Sequence, residues 1–291
     1  MWSWHLWVTP YKPDRRKPWE DGKYEYTEDV ASGKVYRYTP AARGSPYNNL
    51  WTLDGKYRDK YIMDRNLGAT TEDTPMSSND INRSGGLHYQ FGHKDPFVLF
   101  QRIYKSALGQ NTQINKARAR NIGESIKWPD QYFVVTDAPG TSWDWIEPNP
   151  YVNNLWNNPF PKEKEFKDKS FLDPCPEGWR LPLPGVWHSF SYDVINDKKK
   201  HRPRMASFNN GGNFYAGNDG GVTTFYPVAG AFTAYGNRTT LEAPGVYGAY
   251  WTALPYDRHY SFGMSMRNSY IIPQNSDMRR AMASSIRCVQ E

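Results

Sequence analysis

The chain has 291 residues, 38% hydrophobic and 16% aromatic, with 12 Trp, 21 Tyr and a net charge of +6. A mean hydropathy of −0.83 and the lack of any long apolar run exclude a membrane-spanning helix. With neither a basic helix nor an RNA-binding signature, the positive balance reads as a mixed, solvated surface rather than a nucleic-acid footprint.

In chain order, Trp2-Ser3-Trp4-His5-Leu6-Trp7-Val8-Thr9 alternates large apolar with smaller or polar residues, as a half-buried strand does. It follows Met1 with no leader, so the numbering is expected to begin at an internal point of a precursor. Residues 10–59, rich in charge, Tyr and Pro, read as a long excursion with at most one hairpin. Lys60-Tyr61-Ile62-Met63-Asp64-Arg65-Asn66 restores a strand, and residues 69–86 form a polar loop. Leu87-His88-Tyr89-Gln90-Phe91-Gly92 is a short strand ended by Asp95-Pro96. Residues 114–128 carry the best helical signal of the first half, with Ile122 and Ile126 four apart and Trp128-Pro129 closing the segment. Residues 141–173 form a Trp/Asn/Pro/Lys-rich insertion of little periodicity. Residues 184–192 suggest a second helix, with Val186, Trp187 and Phe190 on one side. The basic run Lys198-Lys199-Lys200-His201-Arg202-Pro203-Arg204 reads as an exposed loop, and residues 209–221 as turn chemistry throughout. Strands are expected at 223–235, 246–254, 259–266 and 283–290. No repeat, heptad or long linker divides the chain, so one domain covering 1–291 is expected.

Cys175 and Cys288 are the only cysteines. Their spacing leaves two readings, a bridge closing a long loop or two buried free thiols.

The late strands carry the candidate site. In residues 259–266, period-two patterning puts Tyr260, Phe262, Met264 and Met266 on one side and His259, Ser261 and Ser265 on the other. With the first set as core, the second set is expected to be exposed together with the loops around Tyr256, Arg267–Tyr270 and Gln274. Taken singly, each of these is an ordinary solvated residue. Taken as one surface, they offer the flat rings and adaptable hydrogen bonds that binding loops prefer. The candidate ligand-binding residues are Tyr256, Asp257, Arg258, His259, Arg267, Asn268, Tyr270, Gln274, Asn275 and Asp277.

Elsewhere the chemistry is thin. Glu147-Pro148-Asn149 and Trp156-Asn157-Asn158 imitate short lectin motifs. Calcium, however, takes about six to eight oxygens, so no metal or other cofactor is expected. Trp143, Trp145 and Trp156 could stack on sugars, yet a tryptophan in such an insertion more often pins the loop to the body. There is no Gly-x-Ser-x-Gly elbow, His-Glu-x-x-His pair, phosphate-binding loop or Cys-x-x-Cys, and the six histidines lack metal-ligand spacing. No catalytic residue is expected.

Several blocks in order carry a family resemblance: Met63-Asp64-Arg65-Asn66-Leu67-Gly68-Ala69-Thr70, Tyr89-Gln90-Phe91-Gly92, Asp173-Pro174-Cys175-Pro176-Glu177-Gly178-Trp179-Arg180-Leu181-Pro182, Tyr250-Trp251 and Ile286-Arg287-Cys288-Val289. The chain resembles the FISUMP-type domains attached to fimbrillin-type surface proteins of gut bacteria. That resemblance implies an α+β, C-type lectin-like fold with paired N- and C-terminal strands, two short helices and long inserted loops. It also implies a Cys175–Cys288 bridge. Functionally, it implies an exported adhesin of the cell surface or fimbria, binding a protein or glycan ligand noncovalently, with other pilus subunits as further partners. The alternatives are a carbohydrate-binding or carbohydrate-active protein, and a structural pilus subunit without an external ligand. One departure stands at Leu183-Pro184, where the family pattern has a capping Ser or Thr; proline in a first helical turn is tolerated.

Overall fold

The computed structural model describes residues 35–37, 61–71, 74–75, 81–97, 116–117, 122–129, 131–133, 144–146, 155–156, 169–187, 205–215, 223–235 and 238–290. Within them strands dominate and helices are few and short. In chain order the elements are β1 (Val35–Arg37), β2 (Tyr61–Met63), α1 (Ile81–Gly85), β3 (His88–Gln90), β4 (Lys116–Ala117), α2 (Ile122–Lys127), β5 (Tyr132–Phe133) and β6 (Trp179–Arg180). A 3-10 turn at Pro184–Trp187 follows. The second half then holds β7 (Met205–Phe208), β8 (Gly211–Tyr215), β9 (Thr223–Pro227), β10 (Ala231–Tyr235), β11 (Arg238–Glu242), β12 (Tyr247–Pro255), β13 (Tyr260–Arg267), β14 (Tyr270–Arg279), β15 (Ala283–Ser285) and β16 (Val289–Gln290).

Seven strands form the main sheet, in the order β11-β10-β15-β12-β13-β14, with β3 on the other edge of β15. Its two faces bury separate cores. Ala249, Trp251 and Ala253 of β12 face a cluster with Phe91, Trp145, Trp156, Trp179 and the cystine. Tyr250 of β12, Met264 and Met266 of β13 and Ile271 of β14 face the other way, onto Trp187, Phe214, Tyr226 and Val228. Covering both faces overturns one expectation. Ser261 and Ser265, expected to face solvent, are buried, because the sheet has no wet face at that depth. Their hydroxyls are satisfied: Ser261 Oγ donates to Leu254 O at 2.7 Å, and Ser265 Oγ accepts from Asn275 Nδ2 at 3.0 Å.

The C-terminus closes a second sheet, ordered β1-β2-β16-β6. Val289 pairs with Ile62 on one edge and with Arg180 on the other. Residues 2–9, the expected partner of this strand, lie outside the described residues, and both edges of β16 at Val289 are taken by β2 and β6. Pairing continues past β16, with Met63 N–H donating to Cys288 O (3.0 Å) and Leu67 N–H to Ile286 O (2.8 Å). Beside it the Cys175–Cys288 disulfide is formed, joining positions 113 apart. Asp173 shapes the loop that delivers Cys175, its carboxylate accepting from Cys175 N–H (2.9 Å) and Leu181 N–H (3.1 Å). Lys169 Nζ caps the same loop by donating to the carbonyls of Cys175, Pro176 and Trp179.

The sequence blocks that carry the family resemblance meet in this interior. Asp64 and Arg65 pair with each other while buried, at 2.8 Å. Asn66 donates to Gly85 O (2.9 Å) and accepts from Arg287 Nε (3.1 Å). Arg287 also donates to Phe225 O at 2.7 Å and lies 3.8 Å over the Tyr226 ring. These residues build the body.

Other expectations are corrected. Residues 114–128 are not one helix: β4 pairs in parallel with β5, and among the described residues of this stretch only Ile122–Lys127 is helical. Residues 209–221 are not all turn, since Gly211–Tyr215 is a strand between β7 and β9. The second helix begins at Pro184 as a 3-10 turn, and residues 188–192 lie outside the described residues. So do the basic run 198–204, most of 10–59, Trp143, Glu147-Pro148-Asn149, Asn157 and Asn158. Trp145 and Trp156 are wholly buried, with Trp145 Nε1 donating to Phe91 O at 2.5 Å. Both pin the insertion to the body, and neither can stack on a sugar.

Candidate functional site

The largest correction concerns residues 267–279. They are not two loops flanking a strand end but a hairpin whose second arm, β14, runs ten residues. Two bulges distort that arm. Gly263 to Ser265 on β13 faces Asn275 to Ile272 on β14, and Ser261 to Gly263 faces Met278 to Asn275, so β14 carries an extra residue each time. Pro273, which lacks a ladder donor, also sits on this strand, and β14 is an edge of the sheet.

This geometry divides the ten candidate residues. Tyr256, Asp257, Arg258 and His259 form the β12–β13 turn, whereas Arg267, Asn268 and Tyr270 form the β13–β14 turn at the opposite end of β13. Eight strand residues separate the ends, about 24 Å. They are two places, not one surface.

At the first end, most polar capacity is spent on the fold. Asp257 Oδ1 accepts the backbone N–H groups of His259 (2.7 Å) and Tyr260 (2.8 Å), closing the turn. The Arg280 N–H donates to His259 O at 2.9 Å, and its buried guanidinium lies 3.4 Å from Asp144. Burial pushes the Asp144 carboxyl above its ordinary range, with the Arg280 charge opposing. His259 is half-buried beside Tyr260. Tyr256 and Arg258 remain exposed, Tyr256 standing edge-on to Phe262 at 5.2 Å. Further along β14, Asp277 is exposed, Asn275 is tied into a bulge by accepting from Asp277 N–H (2.9 Å), and Gln274 contributes its backbone to the strand.

The second end is built for display. Tyr247 pairs with Arg267, and Arg267 with Tyr270, so three neighbouring strands place these side chains in one row on one face. The Arg267 guanidinium lies 5.1 Å over the Tyr247 ring. Tyr270 is 38% exposed, Ile272 on the same face 43%, and Val246, just before β12, 51%. Six large apolar side chains are exposed among the described residues; two of them, Tyr270 and Ile272, share this face, and a third, Val246, directly precedes Tyr247 in the chain. Large exposed apolar groups that cluster mark binding sites, while single ones need no explanation. Asn268 and Ser269 of the adjoining turn are exposed as well.

Sequence reasoning found Arg267, Asn268 and Tyr270 but missed Tyr247, Val246 and Ile272. The signal for Ile272 was the pair Ile271-Ile272, one facing in and one out, as in a half-buried strand. Tyr247 emerges only from the register that sets it opposite Arg267.

No family model, no curated protein and no solved structure matches this chain.

Proposed function

We propose that this protein is a noncovalent ligand-binding domain of adhesin type, acting outside the cell, with the Tyr247–Arg267–Tyr270 row and its neighbours Val246, Asn268 and Ile272 as its docking platform. The observation that carries this reading is the placing of an exposed Tyr270 ring, a half-buried Tyr247 ring, an exposed arginine and the exposed aliphatic side chains Val246 and Ile272 at one doubly packed sheet end. Aromatic and Arg anchors dominate recognition energetics, and a platform held by strands loses little conformational freedom when it binds. The disulfide fits an oxidising compartment. The mainly β architecture and the ordered sequence blocks fit a C-type lectin-like domain of the FISUMP type, displayed on a bacterial surface or fimbria.

Residues 259–276 contain Arg267 as their single charged side chain. The Tyr247–Arg267–Tyr270 row therefore has no carboxylate beside it within residues 259–276 for acid–base chemistry, and Asp277 lies seven residues along β14 from Tyr270, which favours recognition over turnover. The bulges and Pro273 blunt β14 against strand addition, which disfavours a role confined to subunit stacking through that edge.

The test is to screen the purified protein on arrays of glycans and matrix proteins, and then to measure two variants on the hits. Arg267→Ala with Tyr270→Ala is expected to abolish binding without lowering the Tm. Tyr256→Ala with Arg258→Ala, at the other end, is expected to leave binding intact. The reverse pattern sinks the assignment.

A further inference from the structure

We propose that the platform recognises an acidic glycan, with Arg267 gripping the carboxylate of a uronic or sialic acid residue and Tyr270 stacking on the sugar ring. This inference rests on the docking assignment above and narrows it to one ligand chemistry.

Arg267 carries the argument. Arg267 is exposed, and its guanidinium lies over Tyr247 at 5.1 Å from the ring centroid. Among the described residues no carboxylate pairs with it. Nor does the local sequence offer one: residues 243–256 carry no charge, and Arg267 is the only charged residue between His259 and Ser276. An unpaired guanidinium resting over a ring offers a fork of N–H donors, which matches a planar carboxylate through two parallel hydrogen bonds. The net charge of +6 adds long-range attraction for a polyanion.

The size of the row separates a sugar from a protein partner. Three strands span two inter-strand gaps, about 10 Å in all. That accommodates one or two pyranose rings, whereas a specific protein interface buries about 800 Å² on each partner. The row's chemistry agrees. Tyr270, 38% exposed, offers a face to the C–H groups of a sugar. Asn268 and Ser269, exposed in the turn between Arg267 and Tyr270, offer neutral donors and acceptors to its hydroxyls. Val246 and Ile272 border the row with apolar surface.

The experiment is surface-based binding of the full chain to polygalacturonate and to a sialylated oligosaccharide. Dextran, chondroitin sulfate and poly-glutamate serve as comparison probes. Binding to a carboxylated glycan is expected, together with at least about a tenfold loss in Arg267→Ala, Arg267→Gln and Tyr270→Ala. Lys127→Ala removes an exposed cation that sits 5.4 Å over Trp128, on a helix rather than on the platform's strands, and is expected to bind like wild type. Thermal melts establish that each variant is folded. Failure to bind either carboxylated glycan, equal binding of poly-glutamate, a preference for the sulfated polymer, or indifference to Arg267→Ala each overturns the proposal. Loss of a neutral glycan or protein ligand on Arg267→Ala with Tyr270→Ala overturns the acidic sugar while leaving the platform standing. A ligand released only by Tyr256→Ala with Arg258→Ala removes both readings.

Discussion

Replacing both cysteines, Cys175→Ala with Cys288→Ala, should lower stability through the unfolded chain more than through the folded one. The bridge joins positions 113 apart, and the chain-entropy relation for a loop of that length gives about 5 kcal/mol near room temperature. Natural domains hold only about 5–15 kcal/mol in total, so the variant should sit near the edge of stability. The native loop need not open, because Asp173 still accepts from Cys175 N–H and Leu181 N–H and Lys169 still caps the carbonyls. Near-UV circular dichroism at low temperature should therefore match wild type. In urea, with an m-value of about 3 kcal/mol per molar, the midpoint should fall by about 1.7 M. Both cysteines are buried, at 5% and 0% exposure, so a thiol reductant should act on the wild type only as fast as the protein opens. A stability loss below about 1 kcal/mol in the double variant, or rapid reduction of the native protein, would refute the reasoning.

Two further predictions concern the interior. Gly263→Ala would place a Cβ 2.5 Å from Tyr250 O and closer still to Met278 Sδ, and such overpacking should cost about 1–3 kcal/mol. Adding Met278→Ala should restore only part of the loss, since the carbonyl contact persists; an unchanged Tm for Gly263→Ala contradicts the packing described. His88 is buried, with Nε2 at 3.1 Å from Gly230 O, so that nitrogen donates and Nδ1 is left bare. Burial lowers its pKa from 6.5 to about 4, opposed by that backbone hydrogen bond. The unfolded chain therefore takes the proton first, and stability drains as pH falls from about 6.5 to about 4, by about 3 kcal/mol. Asp173 runs the other way. Burial raises its carboxyl from 3.8 to about 6 against the pull of Lys169, so the folded chain gains relative stability as pH falls through that window. The stability gap between wild type and His88→Gln isolates the first effect and should narrow by about 3 kcal/mol on acidification; parallel curves contradict it.

The body was more legible in the sequence than the site. Alternating runs located β2, β3, β12 and β13, because apolar period two survives wherever a strand packs against the core, but the single strands expected at 223–235 and 283–290 are each two, β9 with β10 and β15 with β16, which belong to different sheets. The period misled where both faces are covered: Ser261 and Ser265 look like outward positions, yet their hydroxyls are absorbed by Leu254 O and Asn275 Nδ2. It failed on β14, where Pro273, Gln274, Asn275 and Ser276 look like loop chemistry. Two bulges there insert residues that break the alternation. Gly211-Gly212 was read as turn for a similar reason, although a Cβ at Gly211 would run into Phe225 and the Tyr226 carbonyl, so Gly211 is what lets β8 approach β9 there. The site was half legible because residue type marks Arg267 and Tyr270 as binders. Only cross-strand register reveals that Tyr247 joins them and that Tyr256 stands at the far end of β13.

The most direct test of the docking platform is hydrogen–deuterium exchange of the full chain with and without a ligand selected from the arrays. Protection centred on 246–248 and 266–272, with 256–259 unchanged, is the predicted outcome. Protection confined to 256–259, or spread evenly over both ends of β13, would contradict the account.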